Sequence, residues 1–252
     1  MNKIFVNRKN LILISVVGIF CAILVACLEV SPSIPITLEN AFLYARDGYI
    51  EIKEREYNAD SFNCTLNLLL FIPLISQILT NDYEIAKSFI FVRKNNVVRW
   101  YLFKVLQCFF YCFYSSLIYN LTLMITVTLM GFEVSNKKTT LEYFVFGVLA
   151  GFLILFMLVI TSYILSIKIK AHFSTTLIVV ITVVLMGISC FLNGEQIQFF
   201  VLTNYFISWH MVMSGNLQFY YFPTWIYYAI ILIIIAAEII IGNIMMKKND
   251  HI

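Results

Sequence analysis

Charged residues are scarce in this sequence. Only 12% of its 252 residues are Asp, Glu, Lys or Arg, about half of the roughly 25% found in soluble domains. Hydrophobic residues make up 61% of the chain, and the mean hydropathy is +0.88. This composition excludes an ordinary soluble domain and predicts an integral membrane protein built from α-helices.

Motifs for catalysis and metal binding are also missing. The sequence has no GxxxxGK[ST] phosphate-binding loop, no HExxH and no GxSxG. Its three His are scattered, and its six Cys include no CxxC pair. Five of the Cys lie in apolar stretches, where Cys behaves as a small hydrophobe. We therefore expect no catalytic residue, no metal site, no disulfide framework and no cofactor bound to this chain.

Long apolar segments predict six membrane spans within a single domain, residues 1–252. A spanning helix needs about 20 apolar residues. The predicted spans are residues 11–28, 62–80, 100–130, 142–167, 173–192 and 224–246. Residues 1–10 are basic, and we expect them to lie along the inner membrane surface. In span 4, Gly147 and Gly151 are spaced as GxxxG, which permits close helix contact.

The distribution of Lys and Arg predicts that both termini are cytoplasmic, because positive charge concentrates on inner loops. With six spans, twelve of the 17 Lys and Arg fall inside and five outside. Residues 29–61 form an acidic outer loop, either a helical lid or a loose segment. Residues 193–223 lack Lys and Arg and are rich in aromatic rings. We expect two re-entrant helices there in the outer leaflet, with one extra span as the alternative.

The interval between spans 2 and 3 carries more Lys and Arg than any other interval between apolar segments. Its apolar residues recur at helical spacing. We therefore predict an amphipathic cytoplasmic helix over residues 81–99 that contacts a cytosolic partner. The alternative is a basic loop that only fixes topology, with Glu84 complementing a helix dipole.

A few polar residues inside the spans are candidates for a substrate pathway. Glu238 is the only acid deep inside a span, and it predicts a proton or substrate contact, or else a hydrogen bond to a Ser, Thr or Asn of another span. Asn243 follows five residues later. Thr122 and Thr126 are further candidates, with hydrogen bonds back to their own helix as the alternative.

This layout resembles the type-2 family of ATP-binding-cassette (ABC) permeases. The features that carry the resemblance are the basic N-terminal segment, the six spans, the helix with Glu84 and the basic pair Arg93–Lys94, and the aromatic segment that ends at Pro223. Within that family, the chain is similar to small bacterial permeases that export peptides or protect against antimicrobial peptides.

The resemblance implies a multi-pass subunit of the bacterial plasma membrane. Two permease subunits, identical or related, would pair and bind two copies of a separate ATPase, which holds ATP and Mg. The residues that would contact the ATPase are Asp82, Glu84, Lys87, Arg93 and Lys94. The cargo would be a peptide or another amphipathic or hydrophobic compound, and no nucleic acid is expected as a partner.

Two other functions remain open. A proton-driven secondary transporter would use Glu238 as its carrier, although such proteins usually show more charged residues in their spans and often an internal repeat. No such repeat relates residues 1–126 to residues 127–252. A stand-alone immunity protein or sensor would instead bind its ligand with the acidic loop and the aromatic segment.

Overall fold

Every regular element in the described part of the chain is an α-helix. The computed structural model describes residues 7–30, 37–47, 66–92, 97–191 and 224–249. Six helices exceed 20 residues and one is short. They are α1 Arg8–Glu29, α2 Leu38–Asp47, α3 Leu66–Val92, α4 Val97–Leu129, α5 Lys137–Ser166, α6 Ala171–Phe191 and α7 Thr224–Asn249.

Four of these helices, α1, α4, α5 and α7, contain a stretch long and apolar enough to cross a membrane. The stretches are Arg8–Leu28, Val97–Leu129, Lys137–Ser166 and Tyr228–Lys248. Shorter apolar stretches lie in α3, Leu66–Asn81, and in α6, Ala171–Leu185. These helices indicate a membrane protein of the all-helical class, as the composition predicts. Each of the six predicted spans overlaps one long helix.

Helix α4 is the centre of the bundle, because α1, α2, α3, α5 and α7 all pack against it. The face that it turns inward carries large side chains such as Tyr111 and Leu123, which are fully buried. Its outward face carries exposed apolar side chains such as Leu106 and Phe110. An apolar outer surface of this kind suits contact with lipid, while the backbone polar groups are satisfied within the helices.

Helices α4 and α5 run antiparallel and touch closely where Gly151 meets Ser116. The Ser116 hydroxyl donates to the carbonyl oxygen of Val148 at 2.8 Å. A Cβ atom at Gly151 would lie 2.9 Å from the Ser116 hydroxyl oxygen. The close contact that the GxxxG spacing permits is therefore present at Gly151.

The helices are staggered along α4. Asn7 and Asn10, at the start of α1, both donate to the Tyr111 hydroxyl at 3.2 Å. Val97 lies 14 residues before Tyr111, which is about 21 Å along an α-helix. The first turns of α4 therefore extend beyond the start of α1. We call this end of the bundle, where α3 leads into α4, the hairpin end.

Helix α3 differs from the prediction, which ended span 2 at residue 80 and began a separate helix at residue 81. One helix runs without interruption from Leu66 to Val92, and α4 begins at Val97. No Gly or Pro lies between Thr80 and Val92 to break the helix. The Pro of this helix is Pro73, well inside its apolar half.

Part of the predicted acidic loop, residues 29–61, forms the short helix α2. Its buried residues follow helical spacing and contact α1, α4 and α5. They are Leu38, Glu39, Ala41, Phe42 and Ala45. We call this the α2 end of the bundle. The predicted re-entrant helices, residues 193–223, lie outside the described residues, as do residues 1–6 of the predicted interfacial segment.

Candidate functional site

Glu238 of α7 is bonded to α5. The Thr161 hydroxyl and the Oε1 atom of Glu238 are hydrogen-bonded to each other across the two helices. The other carboxyl oxygen, Oε2, is buried and has no hydrogen-bond partner in the described part of the chain. Of the two interpretations of Glu238, the structure thus shows the interhelical hydrogen bond.

Tyr101 of α4 lies beside this contact. Its side chain is fully buried and stacks on Tyr163 of α5, with ring centroids 6.2 Å apart and planes inclined by 11°. The Tyr101 hydroxyl lies against the backbone of α7, since a Cβ atom at Gly242 would overlap it. Gly242 follows Glu238 by one helical turn. Tyr101, Thr161, Tyr163, Glu238 and Gly242 form what we call the polar cluster.

A buried lysine continues this polar face along α4. Lys104 lies one turn after Tyr101 and is only 5% exposed. Its ammonium donates to the side chain of Gln107 at 2.7 Å and lies 5.8 Å from the centre of the Trp100 ring. Lys104 is one of the twelve Lys and Arg that the six-span prediction counts on the cytoplasmic side. In the structure the Lys104 side chain is buried inside the bundle, so its charge does not lie on the cytoplasmic surface.

The predicted pathway residues are not brought together. Glu238 and Asn243 lie towards the hairpin end, and the Asn243 side-chain oxygen is buried without a partner in the described residues. Thr122 lies 21 residues after Tyr101, about 32 Å along α4. The Thr126 hydroxyl donates to the Thr122 carbonyl at 2.8 Å. This is the predicted alternative, a bond within the helix.

Three of the five predicted ATPase contacts lie on the part of α3 that runs towards the hairpin end. Asp82, Glu84 and Lys87 belong to the helical stretch of α3, but their side chains fall outside the described part of the structure. Arg93 and Lys94 lie outside the described residues altogether. The structure therefore fixes the helix that carries the first three residues and leaves the side-chain contacts of all five untested.

A second buried acid, Glu39, joins α2 to the start of α5 and was missed by the sequence analysis. Its carboxylate accepts hydrogen bonds from the backbone N–H groups of Ser135, at 3.3 Å, and Asn136, at 2.6 Å. The Thr140 hydroxyl donates to it at 2.9 Å. Burial alone would raise the pKa of Glu39, but these hydrogen bonds outweigh burial and lower the pKa from 4.5 to about 2.

The start of α5 explains why an acid is held there. The first N–H groups of an α-helix have no partner within the helix and form a positive end. The Asn136 side chain accepts from the N–H groups of Lys138 and Thr139, and Glu39 binds the N–H groups just before them. A backbone hydrogen bond from Leu38 to Glu133, at 2.9 Å, adds to this junction. Helix α2 is thus fastened over the α4–α5 connection.

Within the described ranges, no group of three or more His, Cys, Asp or Glu side chains is placed to hold a metal ion. Comparisons of this chain with family models, with curated proteins and with solved structures found no match. Its function is therefore inferred from its own residues and their arrangement.

Proposed function

We propose that this chain is the membrane-spanning subunit of an ABC transporter. A separate ATPase powers it, and its cargo is a peptide or another amphipathic or hydrophobic compound that leaves the cell. In this proposal the chain crosses a bacterial plasma membrane six times, with both termini in the cytoplasm. Two such subunits, identical or related, pair in the membrane, and the hairpin end faces the ATPase.

The continuity of α3 is the observation that carries the proposal. The charged stretch with Asp82, Glu84 and Lys87 is the direct continuation of the apolar stretch Leu66–Asn81. Consecutive i to i−4 hydrogen bonds make an α-helix a stiff rod. A push on the charged stretch is therefore carried along α3 as far as Pro73, where one of these hydrogen bonds is missing, and α3 in turn packs on α1, α4, α5 and α6.

The position of the charged stretch supports the same proposal. Helix α3 carries its charged stretch towards the hairpin end, and Arg99, in the first turn of α4, is exposed there. An exposed basic residue at this end suits contact with a cytosolic protein surface, since inner loops are where Lys and Arg concentrate.

Co-purification tests the proposal. The chain is expressed together with an ABC ATPase encoded beside it and is extracted into nanodiscs. Glu84→Lys and Arg93→Glu each reverse one charge in the proposed contact. The matched control, Lys137→Glu, reverses one exposed charge at the opposite end of the bundle.

We expect a stoichiometric complex for the natural sequence and for Lys137→Glu, and loss of the ATPase from the two contact variants. A chain that binds no candidate ATPase would contradict the proposal and favour a stand-alone immunity protein or sensor. Equal binding by all four proteins would show that the contact lies elsewhere on the chain.

A further inference from the structure

The Thr161 hydroxyl has two oxygen neighbours but only one hydrogen. It lies 2.9 Å from the carbonyl oxygen of Met157 in its own helix, and it is hydrogen-bonded to Oε1 of Glu238 in α7. A threonine hydroxyl donates one hydrogen bond and accepts others. Both contacts are full hydrogen bonds only when the second hydrogen comes from Glu238.

The Thr140 hydroxyl lies in the same way between the Asn136 carbonyl and Glu39, but Glu39 also receives two backbone N–H groups. The difference that decides the charge of Glu238 is therefore its buried Oε2, which has no donor among the described residues.

The two possible charge states of Glu238 have different consequences. An ionised carboxylate would take the Thr161 hydrogen, would receive only that hydrogen bond, and would keep a buried Oε2 with no donor. A protonated acid donates to Thr161, which then donates to Met157, so both contacts are made and no charge is buried. Burial of an incompletely paired charge costs far more than burial of a neutral acid.

Among the described residues, no cation is shown paired with Glu238. Helices α4 and α5 pack against α7. They bring Tyr101 and Tyr163 to this site, and both side chains are neutral near pH 7. Lys104, one turn along α4 from Tyr101, donates to Gln107. The cations of α7 itself, Lys247 and Lys248, lie more than two turns beyond Glu238 and are exposed.

We propose that Glu238 is a proton-binding site, and that the protonated acid fastens α7 to α5 as a hydrogen-bond donor to Thr161. When the proton passes to water, the donor is lost and a carboxylate is left between apolar helices. The Tyr101 hydroxyl, which lies against Gly242 one turn from Glu238, has no hydrogen-bond partner among the described residues. The site does not depend on an ATPase partner.

Infrared spectroscopy of the purified chain tests this inference. A protonated carboxylic acid has a carbonyl stretch that is separate from those of carboxylates and amides and that shifts in heavy water. A maltoside detergent is used because it has no carbonyl group. We expect the band at neutral pH in the natural sequence and its loss in Glu238→Gln. The matched control, Glu39→Gln, keeps the band because Glu39 is ionised at that pH.

A second variant keeps the test decisive if Glu238→Gln does not fold. Thr161→Val keeps the shape of the side chain and removes the acceptor, so the band should remain and move to higher frequency. Absence of the band in the natural sequence at neutral pH would overturn the proposal. A band that persists in Glu238→Gln would also overturn the proposal, as would a band with the same frequency in Thr161→Val as in the natural sequence.

Discussion

Glu39 and Glu238 are carboxylic acids placed at opposite ends of the same bundle, and their surroundings differ. Glu39 receives two backbone N–H groups and the Thr140 hydroxyl, whereas among the described residues Glu238 is bonded to Thr161 alone. Three donors favour the charged form, and burial without donors favours the neutral form. The number of local donors, rather than burial itself, therefore sets the charge of each acid.

Glu39→Gln is expected to destabilise the protein by about 1–3 kcal/mol, because the amide cannot accept from both N–H groups as a carboxylate does. The cost should depend on pH. The pKa of Glu39 is lowered from 4.5 to about 2 in the folded chain. Its stabilisation is therefore fully present above about pH 4.5 and is lost as the pH falls towards 2.

Thermal unfolding in detergent, at neutral pH and at successively lower pH, measures this effect. The quantity compared is the difference in thermal stability between the natural sequence and Glu39→Gln at each pH. Glu142→Gln is the matched control, since Glu142 is exposed and pairs with Lys138 at 3.8 Å. Exposed pairs of this kind contribute about 0.5 kcal/mol or less. Equal destabilisation by the two substitutions would contradict a stabilising contact between Glu39 and the start of α5. So would a Glu39→Gln destabilisation that does not decrease in acid.

Gly151→Ala tests the contact between α4 and α5. The added methyl group would lie 2.9 Å from the Ser116 hydroxyl oxygen, and overpacking of this kind costs about 1–3 kcal/mol. Ser116→Ala removes that oxygen, after which the next Ser116 atom, at 3.9 Å, is in ordinary contact. We expect the double variant to be more stable than Gly151→Ala in thermal unfolding. Additive losses would show that the two side chains do not meet.

The sequence marks some of these residues but not their partners. Glu238 stands out because it is an acid in an apolar run, and Gly151 because of its spacing from Gly147. The partners cannot be read in the same way. Thr161 is 77 residues from Glu238, and Asn136 is 97 residues from Glu39. Glu39 is one of seven acids in its loop, so nothing local distinguishes it.

At the scale of the helices, α3 shows why a span and a helix have different limits. Apolar composition predicts where the membrane-spanning stretch ends, near Thr80, because charge is costly in lipid. The helix itself continues to Val92, since charged residues such as Glu and Lys are good helix formers. For the loop of residues 29–61 the sequence leaves a helix and a loose segment both open, and the structure shows a helix, α2, over Leu38–Asp47.

Asn81→Pro tests whether the two halves of α3 act as one rod. Asn81 is exposed within the helix, and an interior proline costs about 3 kcal/mol or more and bends or breaks the helix there. We expect the ATPase still to bind, with cargo export lost, when transport is measured in vesicles. Asn81→Ala is the control and should transport normally. Full transport by Asn81→Pro would show that a continuous α3 is not required.

At the scale of the whole molecule, the sequence predicts the number of long helices better than their arrangement. Each predicted span overlaps a long helix because about 20 apolar residues in a row leave few alternatives. The stagger of α1 against α4 depends instead on single contacts such as Asn7 with Tyr111. The polar cluster requires three helices to meet at one level. Neither arrangement has a local signal in the sequence.

In the proposed transporter, two membrane subunits, identical or related, pair and are driven by a pair of ATPases. The mass of the particle that forms when the chain and the adjacent ATPase are reconstituted together in nanodiscs tests this pairing. We expect two membrane subunits and two ATPases in one particle, and loss of both ATPases with Arg93→Glu. A particle that contains this chain without any ATPase would contradict the proposal.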